Sequence, residues 1–172
     1  MVLRKRQQFG VRHIATGLVL LCAASFVFGG DLPDPIKTPG AINADVTQEN
    51  IDENICVSGW TKTVRPKVSY TNKLKKRQIV EYGYSDTDLS HYEEDHLISL
   101  QLGGSPVDPK NLWPQPYEGS CNARVKDVLE TKLKRLVCDG SISLQEAQQA
   151  IASNWIEAYK QYIDAAGCAD RL

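Results

Sequence analysis

One stretch constrains this chain above all others: YEEDHLISLQLGGSPVDPKNLWPQP, from Tyr92 to Pro116. It opens on three consecutive carboxylates, Glu93, Glu94 and Asp95, followed by His96. Leu97, Ser99 and Gln101 then alternate with Ile98, Leu100 and Leu102 up to Gly103-Gly104, and Asn111 precedes a short apolar run, Leu112-Trp113-Pro114. Alternation into a glycine turn and back to an apolar run predicts a β-hairpin. The Asp95-His96 pair stands where its first strand begins, and Asn111, fifteen residues on, stands near the return strand. A titratable base and a carboxylate held on a rigid hairpin suit metal-assisted hydrolysis.

A length of 172 residues allows one domain with a sizeable core. Arg4, Lys5, Arg6 and Arg12 precede an apolar run from Ile14 to Phe28, the layout of a secretory signal peptide over residues 1–30, with cleavage expected between Ala24 and Gly30. The run is shorter than the roughly 20 apolar residues of a spanning helix, so no stable membrane insertion is expected after cleavage. Without residues 1–30, sixteen of the twenty Lys and Arg remain against twenty-one Asp and Glu, a net charge of −5. That excludes a globally basic nucleic-acid binder and leaves room for a local patch. Cys56, Cys121, Cys138 and Cys168 are an even set in an exported chain, which predicts two disulfides with three possible pairings. None of them has the close spacing of a zinc knuckle. The expected location is periplasmic or secreted.

Residues 31–54 begin with Pro33, Pro35, Pro39 and Gly40 and read as a linker passing into an irregular segment. Ile55 to Val68 mixes β-branched residues with Trp60 and predicts one or two short strands ended by Pro66. Thr71 is the expected N-cap of a helix that Gly83 stops. Ala123 to Cys138 carries Val125, Val128, Leu129, Leu133, Leu136 and Val137 at helical spacing, with Gly140 as its left-handed cap. Ser143 and Glu146 form a capping box for a last helix that buries Leu144, Ala147, Ile151, Trp155, Ala158, Tyr159 and Tyr162. Charge is segregated along the chain. Seven basic residues and no acid fall between Asn54 and Val80, then six acids and no Lys or Arg between Glu81 and Asp95. A solvated helix face is the usual meaning of such a run; beside an Asp-His hairpin it also reads as a phosphate-tracking surface, with Lys62, Arg65, Lys73, Lys76 and Arg77 as its candidate residues.

Strand, glycine turn, strand and helix follow the order of a ββα-metal finger. The chain resembles the HNH-like nucleases, in particular small exported bacterial proteins with EDHLI, LGG, NLWP and a KD-x-LE helix. Here these are Glu94 to Ile98, Leu102-Gly103-Gly104, Asn111 to Pro114, and Lys126-Asp127 with Leu129-Glu130. The resemblance runs from about Cys56 to Tyr162, and the whole string is specific where the bare Asp-His…Asn skeleton is not. It implies an α+β domain over residues 55–165, a ββα-metal hairpin packed on two or three helices, with a tail at 166–172. It implies a divalent cation, Mg²⁺ first and Mn²⁺ or Zn²⁺ as alternatives, and a DNA or RNA substrate. His96 takes the role of general base and Asp95 that of metal ligand; Asn111 matches the asparagine that braces the loop.

No histidine follows His96, where many HNH proteins carry a final ligand in the helix. Asn122 and Asp127 are the candidates for that place. Asn122 reads equally as a helix N-cap, and Asp127 and Glu130 as salt-bridge partners of Lys126, Lys134 or Arg124. The resemblance further implies Cys56–Cys138, since both fall inside the resembling segments, which leaves Cys121–Cys168. Two other functions stay open: a catalytically inactive nucleic-acid or protein binding module on the same scaffold, and a periplasmic carbohydrate hydrolase using Glu93 or Glu94.

Overall fold

A computed structural model describes residues 31–168; the expected signal peptide lies outside them. The strand β1 (Tyr92–His96) runs antiparallel to β2 (Leu112–Pro116), with Glu94 opposite Pro114 and His96 opposite Leu112. Helices α1 (Thr61–Val64), α2 (Val68–Tyr82), α3 (Ala123–Cys138) and α4 (Leu144–Tyr162) complete an α+β arrangement.

The first strand is the acidic run and not the apolar alternation that follows it, so Asp95 and His96 close the strand instead of opening it. Leu97, Ile98, Leu100 and Leu102 are all buried. An alternating strand would keep only half of them on one face of a two-stranded sheet. The chain bends after Leu97 and makes a 3₁₀ turn at Leu100–Leu102, which lets successive side chains enter the core between α3 and α4. Gly103 leaves that turn at φ 69°, and a Cβ there would lie 2.7 Å from Val46 Cγ1. A Cβ on Gly104 would lie 1.7 Å from the Ile98 carbonyl oxygen, so this turn closes only with glycine.

Residues 55–68 form turns and the short α1, not strands. Gly59 has φ 81°, and the Trp60 and Lys62 amides donate to Val57 and Gly59 carbonyls, so local turns take the hydrogen bonds a strand would need. Pro66 holds Arg65 extended (φ −60°, ψ 129°), and α2 starts two residues later at Val68. Thr71 therefore lies inside the first turn, its hydroxyl donating to the Val68 carbonyl, instead of capping the helix. At the other end Gly83 is left-handed as expected, and the Tyr84 amide donates back to Ile79.

Helix α3 has the expected bounds. Leu129, Leu133 and Val137 are buried, whereas Val128 is half-exposed and points away from the core. Helix α4 starts at a Ser143 cap whose hydroxyl accepts from Glu146 N–H (3.1 Å), and it buries the expected residues except Tyr162, which is half-buried. Asn154 interrupts it (φ −167°, ψ 98°), and Asn154 Oδ1 recaps the following turn at Ile156 and Glu157.

Residues 31–54 are not a free linker. The Asp31 carbonyl accepts from Trp155 Nε1 (2.8 Å), and Thr38 is fully buried with its hydroxyl donating to the Leu112 carbonyl (3.2 Å). The Gly40 amide donates to Lys110, and Ile42 bridges to Gly104. This strap lies along the loop between the two strands. Disulfides join Cys56 to Cys138 and Cys121 to Cys168, and the second anchors the start of the expected tail through a Cys168 with no exposed surface. Among the described residues no helix is long and apolar enough to cross a membrane. The two disulfides are compatible with an exported protein.

Candidate functional site

The loop between the strands is suspended from Asn111, which is fully buried. Its Nδ2 donates to the Ile98 and Ser105 carbonyls, each at 3.0 Å, and its Oδ1 accepts from the Ile98 amide (2.9 Å) and the Ala41 amide (3.3 Å). Every hydrogen-bonding position of this amide is used inside the protein. Asn111 thus braces the loop. It fixes Ser105, and the neighbouring Pro106 turns its carbonyl onto His96 Nε2 at 3.0 Å.

That contact decides the imidazole. A carbonyl oxygen only accepts, so Nε2 carries the ring proton and Nδ1 is left with a lone pair. Burial lowers the His96 pKa to about 4; the Pro106 carbonyl works against the shift, and Lys126 adds to it. His96 is therefore neutral at physiological pH and able to accept a proton.

Asp95, on the opposite face of β1, is held from α3. Lys126 has no exposed surface, and its Nζ donates to Asp95 Oδ2 (2.7 Å), the His96 carbonyl (2.8 Å) and Glu130 Oε1 (2.6 Å). Ser99 Oγ donates to Glu130 Oε2 (2.5 Å). Burial opposes the Lys126 ammonium, but the Asp95 and Glu130 carboxylates outweigh it and hold its pKa above the usual lysine range. The cluster locks the end of β1 against α3. The sequence offers Lys126 as a helix salt-bridge partner of Glu130, and that pair forms, but its burial depends on Asp95, thirty-one positions earlier.

Two cavities adjoin His96 and share Arg65, Glu93 and Glu94 as walls. The first, about 100 Å³, is closed by Ser99, Asp127 and Glu130. The second, about 180 Å³, lies between β1, the start of α2 and Tyr117. Burial raises the Glu93 pKa to about 7, helped by the charges of Asp95, Asp127 and Glu130. It raises Glu94 to about 8, with Lys75 opposing. Both Glu94 carboxylate oxygens are buried without a hydrogen-bond partner from the protein. Burial likewise raises Asp127, with Glu130 adding to the shift.

The expected metal set is not brought together. Asp95 is engaged by Lys126, and Asn122 is the N-cap of α3, its Oδ1 accepting from Arg124 (3.0 Å) and Val125 (3.3 Å) and its Nδ2 donating to Gly119. Of the three, Asp95 and Asp127 border the first cavity and Asn122 does not. Among the described residues no group of three or more His, Cys, Asp or Glu is arranged to hold a metal ion. What the cavity does offer is carboxylate oxygen, with an unpartnered Glu94 beside Glu93 and Asp127. This hard donor set fits an ion such as Mg²⁺, which needs one or two protein carboxylates and takes its other ligands from phosphate and water.

The basic residues divide. Arg65 walls both cavities. Lys73 and Arg77 flank Tyr70 and Pro109 in a separate groove, with Arg77 paired to Glu81 at 3.2 Å. Lys62 and Lys76 are exposed, and neither borders the cavities at His96. His91 is also exposed and is bonded through Nδ1 to Asp86 (2.5 Å). Against family models, curated proteins and solved structures alike, the chain has no match.

Proposed function

We propose that the protein is an exported, metal-dependent endonuclease of the ββα-metal type, hydrolysing phosphodiester bonds of DNA or RNA. The observation that carries this reading is His96, a buried, neutral imidazole whose Nε2 is tied to Pro106 and whose ring borders a carboxylate-lined cavity beside an arginine. His96 Nδ1 takes the proton from the attacking water. Arg65 neutralises a non-bridging phosphate oxygen, the contact for which a guanidinium is best shaped. Glu94, with Glu93 or Asp127, would hold the cation, which when bound supplies charge neutralisation at the phosphate and the leaving oxygen. Asp95 and Lys126 keep the strand end carrying His96 in place.

The test is cleavage of plasmid DNA and of RNA by oxidised residues 31–172, with Mg²⁺ or Mn²⁺ and with chelator, beside His96→Ala. Metal-dependent cleavage that the variant lacks by at least 100-fold is the expected result. Absence of cleavage from folded protein overturns it. The second reading, an inactive binding module, is favoured by the engagement of Asp95 with Lys126. It predicts retained nucleic-acid binding without hydrolysis.

A further inference from the structure

The chemistry above uses the walls the two cavities share and leaves the end of the second, at Asn72, Lys75 and Tyr117, without a role. We infer that the second cavity is a subsite for one unpaired nucleobase next to the scissile phosphate, with Asn72 reading its edge. This inference rests on the nuclease reading for its neighbour, the phosphate at Arg65, and makes single-stranded nucleic acid the substrate class.

Four observations converge. The cavity volume of about 180 Å³ is below the ~300 Å³ where drug-sized ligand sites begin, and suits one ring system. Asn72 lines it, and its amide is engaged by no described residue, so a carbonyl acceptor and two N–H donors are free for a base edge. Tyr117 lines it as an aromatic held in place, with the Arg124 guanidinium 5.5 Å from its ring centroid and its hydroxyl bonded to Glu93. Successive bases stack on such rings at about 1–3 kcal/mol each. Lys75 contributes a fixed positive wall, its Nζ committed to the Leu89 and Tyr92 carbonyls at 2.8 and 2.7 Å. Arg65 and His96 border both cavities, so a phosphate on Arg65 lies beside His96 and leaves the Asn72–Tyr117 end of the second cavity for the adjoining base. A base within a duplex cannot enter without leaving its stack, whereas one in a single strand enters freely.

The test uses oxidised residues 31–172 with randomised single-stranded DNA and RNA 12-mers and their duplexes, comparing wild type with Asn72→Ala and Tyr117→Ala. Cleavage ends are sequenced, and binding of the uncleaved strands is followed by fluorescence anisotropy with chelator present. The expected result is preference for single strands, a base preference at one position flanking the cut, and its loss by about tenfold in Asn72→Ala, whose exposed site leaves folding intact. Tyr117→Ala is expected to weaken binding of every strand. A wild type that cleaves without flanking preference, or a preference unchanged in Asn72→Ala, overturns the subsite. Absence of cleavage with binding that still depends on Asn72 and Tyr117 overturns the nuclease reading and keeps the subsite; binding indifferent to both residues overturns the subsite as well.

Discussion

At the scale of single residues, burial sets His96 and Glu94 apart in opposite directions on the same face of β1. His96 is pushed down to about 4, so between pH 4 and 6.5 the unfolded chain binds the extra proton and stability is lost as pH falls through that window. Glu94 is pushed up to about 8 from an ordinary 4.5, so between those values the folded protein binds the extra proton and stability is lost as pH rises. Glu94→Gln removes the second effect. Chemical denaturation should find the variant gaining on wild type as pH rises from 4.5 to 8, by about 2–4 kcal/mol at most, with a constant difference below 4.5. A pH-independent difference would show that the Glu94 carboxyl is not desolvated. His96 was legible as a candidate because an Asp-His pair beside a glycine turn and an NLWP run is uncommon. Lys126 was not, because a lysine among Val125, Leu129 and Leu133 has no local mark of burial; only the distant Asp95 explains it.

Among the elements, α3, α4 and the end of α2 were legible, whereas α1, the start of α2 and the first strand were not. Periodicity and caps place α3 and the start of α4, since Asn122, Gly140 and Ser143 satisfy helix ends through purely local bonds. The strand β1 reads YEEDH, with no apolar alternation to announce it, because its side chains bond to α3 and line cavities instead of facing a uniform core. The apolar alternation after it belongs to a loop buried from both sides, and the organiser of that loop is Asn111. Asn111→Asp replaces two N–H donors facing carbonyls by an acceptor and buries a charge. It should cost about 3–5 kcal/mol by thermal or urea unfolding, with Asn111→Ala at about 2–4. Where folded protein is recovered, the Asn111→Ala imidazole should titrate closer to 6.5 by NMR, since the loop carrying Pro106 no longer covers the ring. A cost within 1 kcal/mol would show that the loop holds itself.

Across the described residues, closure comes from both ends. The strap of residues 31–42 reaches Trp155, Leu112, Lys110 and Asn111, and Cys168 is tied to Cys121. Composition marked the strap as proline-rich linker, because nothing in Pro33 to Gly40 tells an extended segment lying on a protein from one in water. Deleting residues 31–42 should lower the unfolding midpoint by at least 5 °C and reduce any hydrolysis in parallel, since the Ala41 bond to Asn111 goes with it. Unchanged stability would make the strap ornamental. The geometry of the strap also sets an order of events. Its residues are made before their partners: Lys110, Asn111 and Trp155, which receive it, emerge seventy to more than a hundred residues later, and the cystine at 168 needs an oxidising compartment. Assembly of the site therefore waits until the chain has been made through Trp155 and Cys168, and before that His96 lacks the framework that tunes it.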